Sequence, residues 1–162
     1  MFNSPISNKQ TYTMHIREAT VNDIMQMQRV RNAVKENTLS NPDLVTDNDY
    51  KEYITEKGNG WVYEVHQQIV GFAIADRHGN NIWALFVSPA YEKQGIGKQL
   101  HDTMLNWYFR QTIETVWLST DEQTRAALFY EKAGWKKVGK YGRDEIKFEM
   151  TYADWVINAN KS

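Results

Sequence analysis

Seven short runs of the chain are rich in apolar, β-branched and aromatic residues, and each is bounded by polar or turn-forming residues, which is the pattern of β-strands. They are residues 15–19, 61–65, 69–75, 82–87, 115–118, 135–138 and 146–152. Gln67 and Gln68 precede the third run, which predicts a hairpin between the second and third runs. Gly58-Asn59-Gly60, just before the second run, is typical of a turn.

Four other segments repeat apolar residues at helical spacing, which predicts amphipathic helices. They begin near Thr20, Asp47, Gly95 and Thr124, and residues 38–42 interrupt the first pattern. Asp23 follows Thr20 at the spacing of a capping pair at a helix start. The positions expected to face the core are Ile24, Met27, Val30 (or Arg31), Val34, Tyr50, Tyr53, Ile54, Leu100, Met104, Trp107, Tyr108, Ala127, Tyr130 and Ala133.

The order of these elements is strand, two helices, three strands, helix, strand, helix and two strands, which predicts a single domain of the α/β (α+β) class. A helix that joins two strands of one sheet makes a parallel crossover, so strands 82–87 and 115–118 are expected to run parallel. We expect the domain to span residues 14–155, with a flexible tail at 1–13 and a C-terminal tail at 156–162.

Composition narrows the class of protein further. The chain of 162 residues contains no cysteine, which excludes a disulfide scaffold, a thiolate zinc site and a cysteine nucleophile. Nineteen Lys and Arg balance twenty Asp and Glu, so binding to nucleic acid by bulk charge is not expected. The apolar runs are too short to cross a bilayer, and the four His lack metal-ligand spacing. We expect a cytoplasmic protein without a metal, nucleic-acid or membrane partner.

Gly95-Ile96-Gly97 lies where a helix begins directly after a predicted strand. Glycines allow close approach of a ligand, and the amides of a helix N-terminus favour an anion such as phosphate. Lys98 adds a cation there. Taken alone, this pattern also fits an ordinary tight turn, and it lacks the further glycine and acidic residue of a dinucleotide site.

A second motif decides between these interpretations. Residues 123–135 read QTRAALFYEKAGW, and residues 92–97 read EKQGIG. Together, in this order, they resemble the two motifs of GNAT-superfamily acetyltransferases, in which the first motif holds a pyrophosphate. The resemblance covers about residues 14–152 and extends to Ile16-Arg17-Glu18-Ala19-Thr20 and Val70-Gly71-Phe72. Glu92 departs from the family pattern, which has Gln or Arg at that position.

The resemblance implies a central, mostly antiparallel mixed sheet whose parallel strand pair splays at an acyl-CoA site. It implies an enzyme that transfers an acetyl group from acetyl-CoA to a primary amine of a small molecule or peptide by direct attack. The residues that it assigns to acetyl-CoA are Phe86, Val87, Gln94, Gly95, Ile96, Gly97, Lys98 and Gln123. A backbone amide near Val87 would then face the thioester oxygen.

By the same resemblance, Tyr130 is the expected general acid that protonates the leaving thiolate. An acceptor amine with a Lys-like pKa arrives protonated and must lose a proton. The family's carboxylate positions for this step fall near Asn81 and Ser119, neither of which is a strong base. Ser119 is retained as a catalytic residue at the end of a water chain, and the identity of the base is left open.

The resemblance places the acceptor wall in residues 29–53, and the candidate substrate residues are Asn32, Glu36 and Trp83. Glu36 would pair with a cationic amine, and the rings of Trp83 and Phe86 would offer it an aromatic face. A homodimer through 107–109 or through Tyr152 and Trp155 is a further expectation. The alternative functions are a non-catalytic acyl-CoA-binding module of the same fold, or a nucleotide-binding protein that uses the glycine loop.

Overall fold

The computed structural model describes residues 14–34 and 45–161. Seven strands form one sheet in the order β1-β2-β3-β4-β5-β7-β6. The strands are β1 (Met14–Glu18), β2 (Gly58–Val65), β3 (Gln68–Asp76), β4 (Asn81–Val87), β5 (Val116–Asp121), β6 (Lys136–Tyr141) and β7 (Glu145–Met150). All neighbouring strands are antiparallel except β4 and β5, which are parallel. The predicted α/β class and parallel pair are confirmed.

The described helices cover both faces of the sheet. They are α1 (Ile24–Ala33), α2 (Asp47–Glu52), α3 (Ile96–Gln111), α4 (Arg125–Lys132) and α5 (Tyr152–Asn160). A short 3-10 turn (Val21–Asp23) leads into α1, and a π-helical turn (Tyr53–Lys57) follows α2. Helices α1 and α2 pack on one face with Val62, Phe72 and Ile74 of the sheet. Helices α3 and α4 pack on the other face, where most of the core lies.

Helical periodicity identified the inward faces correctly. Met27, Tyr50, Leu100, Met104 and Tyr108 have no exposed surface. Burial of such side chains contributes roughly 1.5–3 kcal/mol each, so these positions anchor the helices to the sheet. Thr20 begins the first helical segment, and its backbone N–H donates to the Asp23 carboxylate over 2.8 Å, as the capping pattern predicts.

Strands β4 and β5 diverge soon after they begin. Their register is recorded at one position, Asn81 opposite Trp117, although β4 continues to Val87 and β5 continues to Asp121. Helix α3 connects them across one face, as expected for a crossover between parallel strands. The divergence leaves a cleft at the carboxyl ends of the two strands.

Two local predictions were wrong. Gly58-Asn59-Gly60 begins β2 instead of forming a turn. A Cβ on Gly58 would collide with the Ala75 carbonyl oxygen, so the close approach of the two strands requires this glycine. The last predicted strand ends at Met150, and Tyr152 and Trp155 belong to α5, which is helical through residues 156–160.

The remaining local predictions divide between confirmed and untested. The predicted hairpin between β2 and β3 is present, with His66 and Gln67 at positive φ in its turn. The ring of Trp155 stacks on Phe109 at 6.0 Å, and the homodimer expected through these residues stays a prediction. The expected tail at 1–13 and the helix break at 38–42 lie outside the described residues.

Candidate active site

The cleft between β4 and β5 has a volume of about 600 Å³. Its walls come from the end of α1, strand β4, the glycine loop, strand β5, helix α4 and the start of β7. Residues from both sequence motifs therefore meet around one space. Of the residues expected to bind acetyl-CoA, those that line it are Phe86, Val87, Gly95, Ile96, Gly97 and Lys98.

The glycine loop borders space that no protein atom fills, so a ligand can approach its backbone closely. Gly95 caps α3 in the left-handed region, with φ of +83°, and a Cβ there would meet nothing within 4 Å. A Cβ on Gly97 would make ordinary contacts with Val87 at 3.7 Å and Phe129 at 3.8 Å. Packing alone therefore tolerates alanine at position 97. The amides at the start of this 16-residue helix form a cradle that suits a pyrophosphate.

Three of the expected cofactor residues have different surroundings. The Lys98 ammonium donates a hydrogen bond to the Asp102 carboxylate over 2.6 Å, so the side chain points along α3 and away from the start of the helix. Gln94 and Gln123 are exposed and are not among the residues that line the cleft. Gln123 adopts a φ of +65° immediately before Thr124, whose hydroxyl caps α4. Its position is thus explained by the turn into the helix.

Glu92 forms an ion pair with Arg125 across the mouth of the cleft. Both residues line the cleft, and Arg125 is the arginine of the second motif. The unfavourable acid in the glycine loop is thereby neutralised by the protein. This contact also links the loop before α3 to the first turn of α4.

Tyr130 lies on α4 with its ring packed between Phe129, Trp135 and Phe148. The residue is 6% exposed and lines the cleft. Burial raises the pKa of its phenol well above the ordinary value, so the hydroxyl keeps its proton at neutral pH. No hydrogen bond from the part of the chain that is described engages this hydroxyl. The phenol is a protonated donor beside the cleft.

Ser119 donates a hydrogen bond from its hydroxyl to Oε1 of Glu145 over 2.7 Å, and both side chains line the cleft. Val116 and Leu118 pack under α3, so Ser119 points to the opposite face of β5. Glu145 begins β7, where Ile146 points toward α3, so the Glu145 side chain shares the face of Ser119.

Sequence reasoning missed Glu145 because it comes from a strand that neither motif includes. The antiparallel pairing of β5 with β7, which the motifs do not report, brings it to the cleft. Asn81, the other expected carboxylate position, lies at the opposite end of β4 and is not part of the lining.

The acceptor end of the cleft contains Trp83 and Arg31. Trp83 stacks on Tyr53 at 4.4 Å and meets the edge of Tyr50 at 5.1 Å. The Arg31 guanidinium lies 5.4 Å from the Trp83 ring and 5.0 Å from the Phe86 ring. A cation of the chain itself therefore occupies the aromatic face. Asn32 is exposed outside the lining, and Glu36 lies outside the described residues.

The sequence model of the acetyltransferase (GNAT) domain matches residues 19–148, most of the chain. The chain belongs to the GNAT acetyltransferase family. It is an acyl-CoA-dependent N-acetyltransferase whose co-substrate is acetyl-CoA and whose acceptor is an amine. Within residues 14–34 and 45–161 no helix is long and apolar enough to span a membrane, and these ranges hold no cluster of acidic or histidine side chains suited to a metal ion.

Solved structures share the fold of this GNAT domain. The PaiA N-acetyltransferase of Thermoplasma acidophilum, solved in complex with coenzyme A, is 18% identical with a TM-score of 0.77; the match covers 86% of this chain and 99% of that one. A GNAT-family acetyltransferase of Staphylococcus aureus Mu50 is 21% identical with a TM-score of 0.75 and coverages of 86% and 99%.

The ribosomal-protein-S18-alanine N-acetyltransferase of Escherichia coli is more distant. It is 16% identical with a TM-score of 0.70, and the match covers 86% of this chain and 94% of that one. No curated protein matches this sequence. At these identities the similarity establishes the fold, and the roles of individual GNAT residues must be argued from the cleft itself.

Proposed function

We propose that this chain acetylates a primary amine at the cleft between β4 and β5, with Tyr130 as the proton donor and the Ser119–Glu145 pair as the proton acceptor. The observation that carries the proposal is that the groups needed for acetyl transfer all line the same cleft. The glycine cradle, a buried phenol and a hydrogen-bonded carboxylate all border one space of about 600 Å³. Acetyl-CoA supplies an activated acetyl thioester when it is bound there.

The donor side is formed by backbone groups. The N-terminal amides of α3, from Gly95 to Lys98, would hold the pyrophosphate, because a helix N-terminus carries unpaired N–H groups and positive dipole charge. The backbone of Phe86 and Val87 would pair with the amide-containing arm of the donor, since β5 has diverged from β4 at this level. Gln94 and Gln123 would contribute at most from the rim.

Tyr130 would donate a proton or a hydrogen bond to the leaving thiolate. Its raised pKa keeps the phenol protonated, which a donor requires. The same shift makes complete proton loss harder than for an ordinary phenol. A strong hydrogen bond that stabilises sulfur charge in the transition state is therefore the larger part of its role.

The Ser119–Glu145 pair would remove a proton from the acceptor ammonium. The Glu145 carboxylate accepts from Ser119 on one oxygen, and the lone pairs of Ser119 stay available to an incoming N–H. An ammonium that loses its proton along this route becomes a nucleophile close to the carboxylate. The open question of the base thus has a candidate on β7.

The acceptor wall would be formed by Trp83, and Asn32, which is exposed outside the lining, and Glu36 of the first helical region would contribute only at its edge. The acceptor would be a small molecule or a peptide with a free amine. Proteins of the same fold include one whose name specifies an alanine of a ribosomal protein as its substrate, which supports a peptide amine as one acceptor class.

Thiol release from acetyl-CoA against a panel of amines tests the proposal, with mass spectrometry of each product. Gly97→Asp would place a carboxylate among the α3 amides, where a Cβ makes ordinary contacts only. We expect this variant to fold and to lose acetyl-CoA binding. Ala90→Asp adds the same charge at an exposed position of the preceding turn and serves as its control.

The outcomes of this assay are distinct. Release with one class of amine, abolished by Gly97→Asp and retained by Ala90→Asp, would support the proposal. Tight donor binding without release on any amine would favour a non-catalytic acyl-CoA-binding module. Equal binding by wild type and Gly97→Asp would overturn the assignment of the cradle.

A further inference from the structure

Arg31 has unused hydrogen-bonding capacity at the acceptor end of the cleft. It lies near the end of α1, is half-buried, and lines the cleft beside Trp83 and Phe86. Within residues 14–34 and 45–161, its buried Nε has no hydrogen-bond partner. The hydrogen bond found there for its side chain is a long one, from Nη1 to the Tyr50 hydroxyl at 3.4 Å.

No carboxylate in residues 14–34 or 45–161 forms an ion pair with Arg31. Arg17 differs from Arg31, because its guanidinium donates hydrogen bonds to the carboxylates of both Asp23 and Glu64. A buried N–H without a partner costs free energy, and the cost is larger for a charged group. Among the described residues, Arg31 therefore keeps charged N–H groups that no protein acceptor engages.

The geometry of the guanidinium limits what can complete it. The Trp83 and Phe86 rings lie 5.4 Å and 5.0 Å from its central carbon. Contacts at this distance engage the cation with ring faces, which leaves the N–H groups on its edge for hydrogen bonds. A planar anion such as a carboxylate matches the fork of N–H donors along that edge.

We propose that the acceptor is an amine that carries an anionic group, in the first place a carboxylate, and that Arg31 binds this group. The inference rests on the proposed function, since it names the substrate class of the same cleft. It replaces the expectation that Trp83 and Phe86 receive a cationic acceptor. Their faces are already engaged by Arg31, and a second cation there would be repelled.

The two charges of such an acceptor would meet complementary groups. Helix α1 packs on the sheet face opposite α3, and Ser119 and Glu145 point to that same face from β5 and β7. Arg31 and Glu145 thus border one cleft with opposite charges. The ammonium of the acceptor would face Glu145 while its carboxylate faces Arg31, so an amino carboxylate, such as an amino acid, matches the two charges.

Matched pairs of acceptors test the inference. The assay compares leucine with leucinamide, and phosphoethanolamine with ethanolamine, with spermidine as a polycationic amine. Variants are Arg31→Gln, Arg31→Lys and the control Arg110→Gln, which changes an exposed arginine near the end of α3, outside the cleft lining. The readouts are kcat/KM for each acceptor, the Kd of acetyl-CoA, and the Kd of leucine and leucinamide by calorimetry in the absence of donor.

We expect wild type to prefer leucine over leucinamide by about tenfold to a hundredfold, the range for one hydrogen bond to a charged group. Arg31→Gln should abolish that preference by slowing leucine far more than leucinamide, with the acetyl-CoA Kd unchanged. Arg31→Lys should retain part of the preference, because it keeps the charge and loses the fork. Arg110→Gln should behave as wild type.

Other results would overturn the inference. They include a wild-type preference for spermidine or leucinamide, or an Arg31→Gln variant that slows all acceptors equally. A preference confined to phosphoethanolamine would keep an anion subsite and replace the carboxylate with phosphate. If no acceptor is acetylated but leucine still binds more tightly than leucinamide through Arg31, the proposed function fails and the anion subsite stands.

Discussion

The indole N–H of Trp135 donates a hydrogen bond to Nε2 of His101 over 2.9 Å in the core beneath α3. Since Nε2 accepts, the imidazole proton resides on Nδ1, which faces the Asp102 carboxylate at 2.9 Å. The imidazole also contacts the rings of Phe129 and Tyr130 at centroid distances of 5.6 Å and 6.4 Å. This polar pair fixes the aromatic packing that supports α4.

Trp135→Phe should lower the free energy of unfolding by about 1–3 kcal/mol, because it leaves the buried Nε2 acceptor without a donor. Urea unfolding measures the loss. In a His101→Leu background the same substitution should cost much less, since no acceptor is left unsatisfied. Equal costs in both backgrounds would show that the hydrogen bond contributes nothing beyond ring packing.

Tyr130→Phe should lower kcat by about 10²–10⁴-fold while the Kd of acetyl-CoA stays unchanged, because the variant removes only the hydroxyl. Burial raises the pKa of Tyr130, and the donor must be protonated. Loss of activity from its ionisation is therefore displaced upward from the ordinary value near 10. The wild-type rate should hold a plateau to about pH 10.

The control for this variant is Tyr152→Phe, which changes an exposed tyrosine packed on Phe109. It should retain wild-type kinetics. A wild-type rate that declines with an apparent pKa near 8, unaltered in Tyr130→Phe, would assign the alkaline limb to another group.

Glu145→Gln should reduce kcat/KM for the amine, with the largest loss below the pKa of the acceptor amine, where deprotonation is required. Ser119→Ala should give a smaller loss, because the carboxylate remains. The matched control is Glu149→Gln on the same strand, whose side chain is outside the cleft lining. If Glu149→Gln and Glu145→Gln slow the reaction equally, the effect is one of surface charge.

Glu92→Gln should tighten acetyl-CoA binding severalfold, since it removes a negative charge from the mouth of a phosphate site. Arg125→Gln should weaken binding, because Glu92 would lose its counter-charge. Calorimetric titrations at low and high salt measure both effects, which should shrink as salt screens the charges. Weaker binding by Glu92→Gln would show that the ion pair itself shapes the loop.

Asp23→Asn should destabilise the fold at neutral pH and lose its effect in acid. The hydrogen bonds from the Arg17 guanidinium hold the pKa of Asp23 below its ordinary value, and they outweigh the burial of the carboxyl, which acts to raise it. A lowered folded-state pKa contributes stability above the unfolded value of about 3.9, and that stability is lost as pH falls through the folded value. Urea unfolding from pH 7 to 2 should show the two proteins converge, whereas exposed Asp144→Asn matches wild type throughout.

The elements of the fold could be predicted where local periodicity matched the tertiary role. Helix α3 is an example, since Leu100, Met104 and Tyr108 share one face and all three are buried. The glycines at the start of β2 were assigned to a turn, because sequence does not show that the Ala75 carbonyl approaches Gly58. Strand pairing of this kind is a non-local property.

The residues of the candidate site also fall into those that the sequence motifs predict and those that they do not. Gly97 and Tyr130 belong to contiguous motifs, and both line the cleft. Glu145 and Arg31 reach it from β7 and α1, far from either motif along the chain. Glu92 looked unfavourable beside a phosphate only because its partner, Arg125, is 33 positions away. Charge compensation across the cleft is visible only in three dimensions.

Strands β4 and β5 pair at the single position of Asn81 opposite Trp117, so the cleft interrupts the hydrogen bonding of the sheet. The sheet is continuous on either side of it, from β1 to β4 and from β5 to β6. A ligand that has amide groups and lies along β4 would form the backbone hydrogen bonds that β5 does not form there. Strand β4 also pairs with β3 over this stretch, so alternate amides of β4 face the cleft. The amide hydrogens of Leu85 to Val87 that point away from β3 should therefore exchange quickly with deuterium in the absence of donor and become protected when the donor is bound, because the bound co-substrate then acts as an additional strand of the sheet.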